Sequence, residues 1–191
     1  MRFTDTPIAG AFSIDVELHG DVRGYFARAW CLDELRGKQI EASFVQANVG
    51  HTNQKGTVRG LHYQLPPHEE AKLIRCTQGS IFDVIVDLRP HSSTYGTCFG
   101  IELTAENKRS MLVPAGCAHG YQALADHTEV YYLVTSYYAP EAERGVRYDD
   151  PSLLIDWPIK VSDVSSKDRN WPDLVLDVTH GNATVVDMGS D

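Results

Sequence analysis

Arg59, Gly60 and His62 stand close together in the run Thr57-Val58-Arg59-Gly60-Leu61-His62-Tyr63-Gln64. An arginine fork of donors matches a phosphate, and a glycine lets backbone come close to a ligand. Histidine is the side chain whose ordinary pKa lies nearest neutrality. The set suits an anionic ligand held beside a base. A core strand that happens to carry Arg and His would give the same run, so the segment alone leaves both readings open.

Strand geometry adds a condition. Arg59 and His62 are an odd number of residues apart, and side chains of a regular strand alternate between faces, so the two should point in opposite directions. Gly60 is where a bulge would realign them. Without an irregularity there, Arg59 must reach the ligand from a strand end or serve another role.

The elements that would carry these residues read as strands. Residues 72–76, 80–88, 97–103, 111–113 and 128–135 are short runs rich in Val, Ile, Phe, Tyr and Thr. Turn formers separate them, among them Gln78-Gly79, Arg89-Pro90-His91-Ser92-Ser93, Ala105-Glu106-Asn107 and Pro114-Ala115-Gly116. Close-set strands without long helices between them predict an all-β sandwich or barrel. The best helical segment is Leu32 to Arg36, with Gly37 as its stop. Beyond residue 174 the tail holds two candidate edge strands, 175–178 and 183–186, which could equally fray.

The chain has 191 residues, 42% of them hydrophobic, with 15 Gly and 9 Pro, which predicts one domain over 1–174 with a substantial core and many turns. With 17 basic against 26 acidic residues the net charge is −9, which opposes nonspecific binding to nucleic acid or anionic membranes. A phosphate site must then be a local basic pocket. The first residues lack the apolar core of a secretory signal and no segment is apolar for long enough to span a bilayer, so a cytoplasmic protein is expected. Cys31, Cys76, Cys98 and Cys117 are too scattered for a zinc site or a disulfide scaffold, and reduced thiols are expected.

Several segments resemble, in order, the dTDP-4-dehydrorhamnose 3,5-epimerase family. They include Asp21-Val22-Arg23-Gly24-Tyr25-Phe26, Gln46-Ala47-Asn48, Arg59-Gly60-Leu61-His62-Tyr63-Gln64 and Glu70-Ala71-Lys72-Leu73. Further along come Phe82-Asp83-Val84-Ile85-Val86-Asp87-Leu88-Arg89 and Pro114-Ala115-Gly116-Cys117-Ala118-His119-Gly120-Tyr121. The set continues with Tyr137-Tyr138-Ala139-Pro140, Asp149-Asp150-Pro151, Ile155-Asp156-Trp157-Pro158 and Ser166-Lys167-Asp168. The resemblance implies a cupin-type jelly roll with small flanking helices. It implies epimerisation at C3, C5 or both of a nucleotide-diphospho-4-keto-6-deoxy sugar through an enolate, with no metal and no cofactor.

The same resemblance assigns roles. His62 would be the base, Asp168 its orienting carboxylate, Tyr132 the acid on the opposite face and Lys72 the enolate stabiliser. Arg23, Phe26, Gln46, Asn48, Arg59, His119 and Tyr138 would bind the nucleotide sugar, with Arg23 to Phe26 supplied by the neighbouring subunit of a homodimer. Spacing alone reads Asp168 as a turn cap, Tyr132 as core packing, Lys72 as a solvated residue and Arg23 as a surface partner of Asp21 or Glu17. A one-residue slip in register would exchange Tyr132 for Tyr131. Two positions depart from the family pattern: Arg28 stands where Glu is common, and Leu133 where Lys is typical. Two alternatives compete. One is a metal-dependent cupin using His62, His68 and His119 with Glu69 or Glu70, although His62 lacks the paired histidine such sites usually place two residues along. The other is a noncatalytic nucleotide-sugar binder.

Overall fold

β-Branched and aromatic runs form strands throughout the chain, and turns bearing Gly, Pro and Asn separate them. The computed structural model describes residues 1–175 and the backbone of 185–187. In chain order the elements are β1 (Arg2–Asp5), β2 (Phe12–Asp15), β3 (His19–Asp21), β4 (Gly24–Phe26) and α1 (Leu32–Arg36). Next come β5 (Gln46–Thr52), β6 (Thr57–Gln64), β7 (Lys72–Gln78), β8 (Ser80–Asp87), β9 (Cys98–Thr104) and β10 (Ser110–Val113). They are followed by β11 (Cys117–Ala123), β12 (Thr128–Val134), β13 (Glu143–Gly145), β14 (Asp163–Val164), α2 (Ser166–Arg169) and β15 (Val185–Asp187).

One sheet has the order β1-β2-β10-β7-β12-β5 and the other β13-β6-β11-β8-β9-β15, with β14 also paired to β6. All pairings are antiparallel except those of β14 and β15. This is an all-β, cupin-like jelly roll. The β3–β4 hairpin stands apart from both sheets.

Side-chain alternation sorts the residues into three apolar layers. Ile74, Cys76, Ile81, Ile85, Phe99, Met111, Cys117, Tyr121 and Val130 fill the space between the sheets. Leu61, Val84, Val86 and Ala118 cover the outer face of the second sheet with Val146, Leu153 and Trp157. Leu73, Leu112 and Leu133 pack outside the first sheet, where Leu35 of α1 closes the layer. Burial of this apolar surface is what holds the two sheets face to face.

The predicted strands between residues 72 and 135 form at nearly the predicted bounds, as does α1. Gly37 follows α1 in a right-handed conformation (φ −59°), and the left-handed residue comes later, at Gln39 (φ 60°). Of the two tail segments, the second contributes β15, which runs parallel to the edge of β9 with Val185 opposite Cys98. Most of the first lies outside the described residues. All four cysteines are unpaired. Burial pushes the thiols of Cys98 and Cys117 up to about 12 and that of Cys76 up to about 11, so they stay protonated at neutral pH. Among the described residues no helix is long and apolar enough to cross a membrane.

Candidate active site

The conflict between Arg59 and His62 is resolved by a bulge in β6. His62 pairs with His119 and Arg59 with Tyr121, so Gly60 and Leu61 together stand opposite the single residue Gly120. Both Arg59 and His62 therefore face the inter-sheet space, while Leu61 turns outward into its apolar layer. Only glycine fits at this point. Gly60 has φ +114°, and a Cβ there would lie 2.5 Å from the Cα of Gly120.

The outer edge of β6 is paired at both ends and open in the middle. β13 pairs residues 62–64 and β14 pairs residues 57–58, which leaves the bulge between them. Val146 takes up the backbone of Leu61 there, with N–H to O distances of 3.1 and 2.9 Å. Helix α2 follows β14 and brings Asp168 to the same gap. Ser165 caps α2, its hydroxyl oxygen accepting from the Asp168 N–H at 3.0 Å. The Asp168 carboxylate accepts from Gly60 N–H at 3.5 Å and sits 2.6 Å from Nε2 of His62.

Asp168 is buried, and burial alone would raise its carboxyl pKa. The His62 hydrogen bond and charge, the Ser165 hydroxyl and the Gly60 N–H outweigh that and hold it below the ordinary carboxylate value. A charged Asp168 accepts Nε2–H of His62, which leaves the lone pair of the neutral ring on Nδ1. The His62 side chain remains 30% accessible, against 5% for Asp168, so the ring has room for a ligand and its partner does not.

A second histidine–carboxylate pair lies beside the first. His119 Nε2 is 2.7 Å from Oδ1 of Asp83, whose side chain is fully buried and whose Oδ2 has no hydrogen-bond partner among the described residues. Sequence reasoning placed His119 in the ligand site but read Asp83 as part of a strand.

These residues open on a cavity of about 460 Å³ between the sheets. The second sheet contributes Arg59, His62 and His119, and the first contributes Lys72 and Tyr132, with Gln46 and Asn48 beside them on β5. Tyr132 points inward and Tyr131 is 39% exposed on the other face, which fixes the register that sequence left ambiguous. Burial, and then the negative charge of Glu70, raise the Tyr132 hydroxyl above its ordinary pKa, so it carries its proton at neutral pH.

Lys72 is buried, contrary to its reading as a solvated residue. Its ammonium lies 3.1 Å from Glu70 Oε1 and 3.3 Å from the carbonyl oxygen of His62. Gln46 Nε2 donates to Asn48 Oδ1 at 2.8 Å. Arg59 donates to Thr52 Oγ1 at 2.9 Å and to the His51 carbonyl at 2.8 Å.

At the mouth, the exposed Tyr138 donates its hydroxyl to Glu143 at 2.8 Å, and Lys167 holds the other oxygen at 2.6 Å. Burial would raise the Glu143 carboxyl, but the Lys167 and Tyr138 hydrogen bonds hold it below the ordinary value. Tyr121 and Glu143 are cavity residues that sequence reasoning missed, and Glu70 entered it only as a ligand in the metal-cupin alternative. Glu143 gave no signal there, whereas Glu70 stands two positions before Lys72 at a strand start, a spacing that shares one face.

Two predicted binding residues do not line the cavity. Arg23 and Phe26 lie on the exposed β3–β4 hairpin, where Arg23 pairs with Asp21, and Phe26 is 71% accessible. The metal reading gains no ligand set, since among the described residues no three His, Cys, Asp or Glu side chains converge to hold an ion. His68 and Glu69 do not line the cavity.

The family model for dTDP-4-dehydrorhamnose 3,5-epimerase matches residues 5–175. The chain belongs to this family. A dTDP-4-dehydrorhamnose 3,5-epimerase of Methanothermobacter thermautotrophicus is 42% identical over 176 residues, covering 91% of this chain and 94% of that protein. The crystal structure of the Bacillus anthracis enzyme with TDP and pyrophosphate bound is 41% identical, with TM-score 0.87 over 91% of this chain and 99% of that one. A 3'-monoepimerase from Streptomyces bikiniensis, solved with dTDP-quinovose, is 32% identical, with TM-score 0.80 over 87% and 84% of the two chains. The family is one of isomerase-class epimerases, and the metal-cupin and noncatalytic alternatives are not favoured.

The two departures from the family pattern have local explanations in this epimerase. Arg28 forms a 2.9 Å pair with Glu34, which also takes the N-terminal amine at 2.8 Å, so its charge is met within the chain. Leu133 packs in the layer outside the first sheet, on the face opposite Tyr132, and does not line the cavity.

Proposed function

We propose that this protein epimerises a nucleotide-diphospho-4-keto-6-deoxy sugar at C3, C5 or both, through an enolate and without metal. The observation that carries the reading is the opposition of the two sheets. His62 with Asp168 approaches the cavity from one, and Tyr132 with Lys72 from the other. Inversion at carbon needs a base on one face of the sugar ring and an acid on the opposite face.

His62 takes the proton next to the ketone on Nδ1, and the resulting imidazolium is stabilised by Asp168 across the 2.6 Å contact. Negative charge then grows on the C4 oxygen, where the buried Lys72 ammonium meets it. Tyr132, kept protonated by burial and by Glu70, returns a proton on the far face. Enolisation beside a ketone asks for nothing more than these groups.

Arg59 and His119 hold the diphosphate side, Gln46 and Asn48 offer amides along β5, and Tyr138 stands at the mouth. Arg23 and Phe26 reach the site of a second copy, making a homodimer. In support, Val22 and Phe26 on the hairpin, Val49 on the edge strand β5 and Tyr131 opposite it on β12 are large exposed apolar groups.

The test is proton NMR of a panel of nucleotide-4-keto-6-deoxy sugars in deuterated water with the chelated, metal-stripped protein. Deuterium entry at C3 or C5 with inverted product is expected. Loss of turnover on chelation, restored by one metal, would refute the metal-free reading.

A further inference from the structure

Two carboxylates line the cavity, and they are held differently. Glu143 is tied at the mouth by Tyr138 and Lys167, whereas Glu70 sits inside with its side chain 14% accessible and 3.1 Å from the Lys72 ammonium, itself 8% accessible. A buried ion pair of this kind is costly to assemble, and either partner alone is costlier still. Its place in the fold is well defined. Ala71, between the two, donates its N–H to Thr135 Oγ1 at 2.8 Å and accepts from Thr135 N–H at 3.1 Å, which pins the start of β7 against the end of β12. Residues 70 and 72 then share the inward face, and Tyr132 lies on the adjoining strand.

We propose that Glu70 is a positioning residue of the epimerisation, acting through Lys72 and Tyr132 and not on the sugar itself. The inference rests on the function proposed above. The ammonium of a lysine is a point charge on a flexible stem, and an oxyanion is well stabilised only by a donor fixed before the charge develops. Glu70 and the His62 carbonyl fix it from two sides.

The same carboxylate lines the cavity together with Tyr132, whose hydroxyl must be protonated to act as the acid. Besides Glu70 and Tyr132, the charged or titratable groups lining the cavity are Lys72 from β7, Arg59, His62 and Tyr63 from β6, His119 and Tyr121 from β11, and Tyr138 and Glu143 at the mouth, while β5 offers only amides and Gly50. After burial, Glu70 is the largest cause raising the Tyr132 hydroxyl, and Arg59 opposes it.

Glu70→Gln keeps shape and hydrogen bonding but removes the charge. The assays are dTDP affinity, kcat and KM with a dTDP-4-keto-6-deoxyhexose, and the pH dependence of kcat. The expected result is unchanged dTDP affinity, a fall in kcat of about 10- to 100-fold, and an alkaline limb moved to lower pH. That fall is smaller than the about 10² to 10³ for deleting an oxyanion donor. The sign follows from chemistry: without the neighbouring negative charge, Tyr132 loses its proton at lower pH, and the acid form disappears earlier.

Glu70→Asp restores the charge with a shorter reach, so its alkaline limb is expected to return to the wild-type position while kcat stays reduced. A kcat within twofold of wild type with an unmoved limb for Glu70→Gln would overturn the proposal. So would dTDP affinity falling in step with kcat, or identical pH profiles for the Asp and Gln variants. Wild-type protein that exchanges no carbon-bound hydrogen in these sugars would instead overturn the epimerase reading itself.

Discussion

Replacing Asp168 by Asn probes the base without touching the cavity wall. In the native site the carboxylate accepts from two donors, Nε2–H of His62 at 2.6 Å and Gly60 N–H at 3.5 Å. An amide can accept with only one of its two ends. If its oxygen faces His62, geometry is kept and what is lost is stabilisation of the imidazolium, about 1.5–3 kcal/mol for a charged hydrogen bond. That corresponds to about 10- to 150-fold in kcat. If its NH2 faces His62, the ring must accept on Nε2 and carry its proton on Nδ1, where the base is needed. The loss then approaches about 10⁴-fold, as for asparagine in place of a triad aspartate. The shorter contact favours the first arrangement, so the lower range is expected, with KM little changed because Asp168 does not face the sugar. The assay is steady-state epimerisation together with hydrogen exchange at C3 and C5, which should fall in parallel. A kcat within threefold of wild type would refute the assignment of Asp168 as the partner of the base.

The Asp168 and Glu143 carboxyls are held below their ordinary pKa, so the stability they supply is full above an unfolded carboxylate value of about 4 and is lost as pH falls through their folded values. Acid unfolding curves should therefore flatten in Asp168→Asn, and an identical acid limb in the variant would contradict this. Gly60→Ala places a Cβ 2.5 Å from Gly120 Cα at φ +114°. A destabilisation of at least about 2 kcal/mol is expected, lowering Tm by about 4–8 °C with loss of turnover, and a native-like melt would show that the bulge tolerates a side chain. Arg23→Ala should weaken dTDP binding while keeping the melt. Mixed with His62→Ala protein, it should regain activity by complementation, and none despite proven subunit exchange would argue against a shared site.

The strands between residues 72 and 135 were legible because their apolar, β-branched runs are bounded by Gly, Pro and Asn, a signal that survives tertiary packing. β11 was not, since Cys117-Ala118-His119-Gly120-Tyr121 carries small and polar residues that suit a cavity wall and weaken strand propensity. The bulge at Gly60 was foreseeable from parity alone, because two functional residues an odd distance apart cannot share a regular strand face. Register turns Tyr132 and not Tyr131 toward the cavity, which periodicity in a run of aromatics cannot decide. Asp83 and Glu143 could not be found: their partners, His119 and Lys167, are distant in sequence and meet only when β8 lies beside β11 and α2 folds back on β13. Arg23 and Phe26, placed in the site by resemblance, lie on an exposed hairpin away from the cavity of their own chain.

The division of labour between His62 and Tyr132 is the centre of the account, and proton NMR of the sugar in deuterated water separates the two roles. His62→Ala removes the only step that forms the enolate, so neither exchange at C3 and C5 nor epimerised product is expected. Tyr132→Phe keeps the base and the packing ring, so exchange by abstraction and same-face return should persist while inverted product disappears. Normal inversion by Tyr132→Phe would show that another group supplies the proton, and wild-type exchange by His62→Ala would contradict the mechanism as a whole.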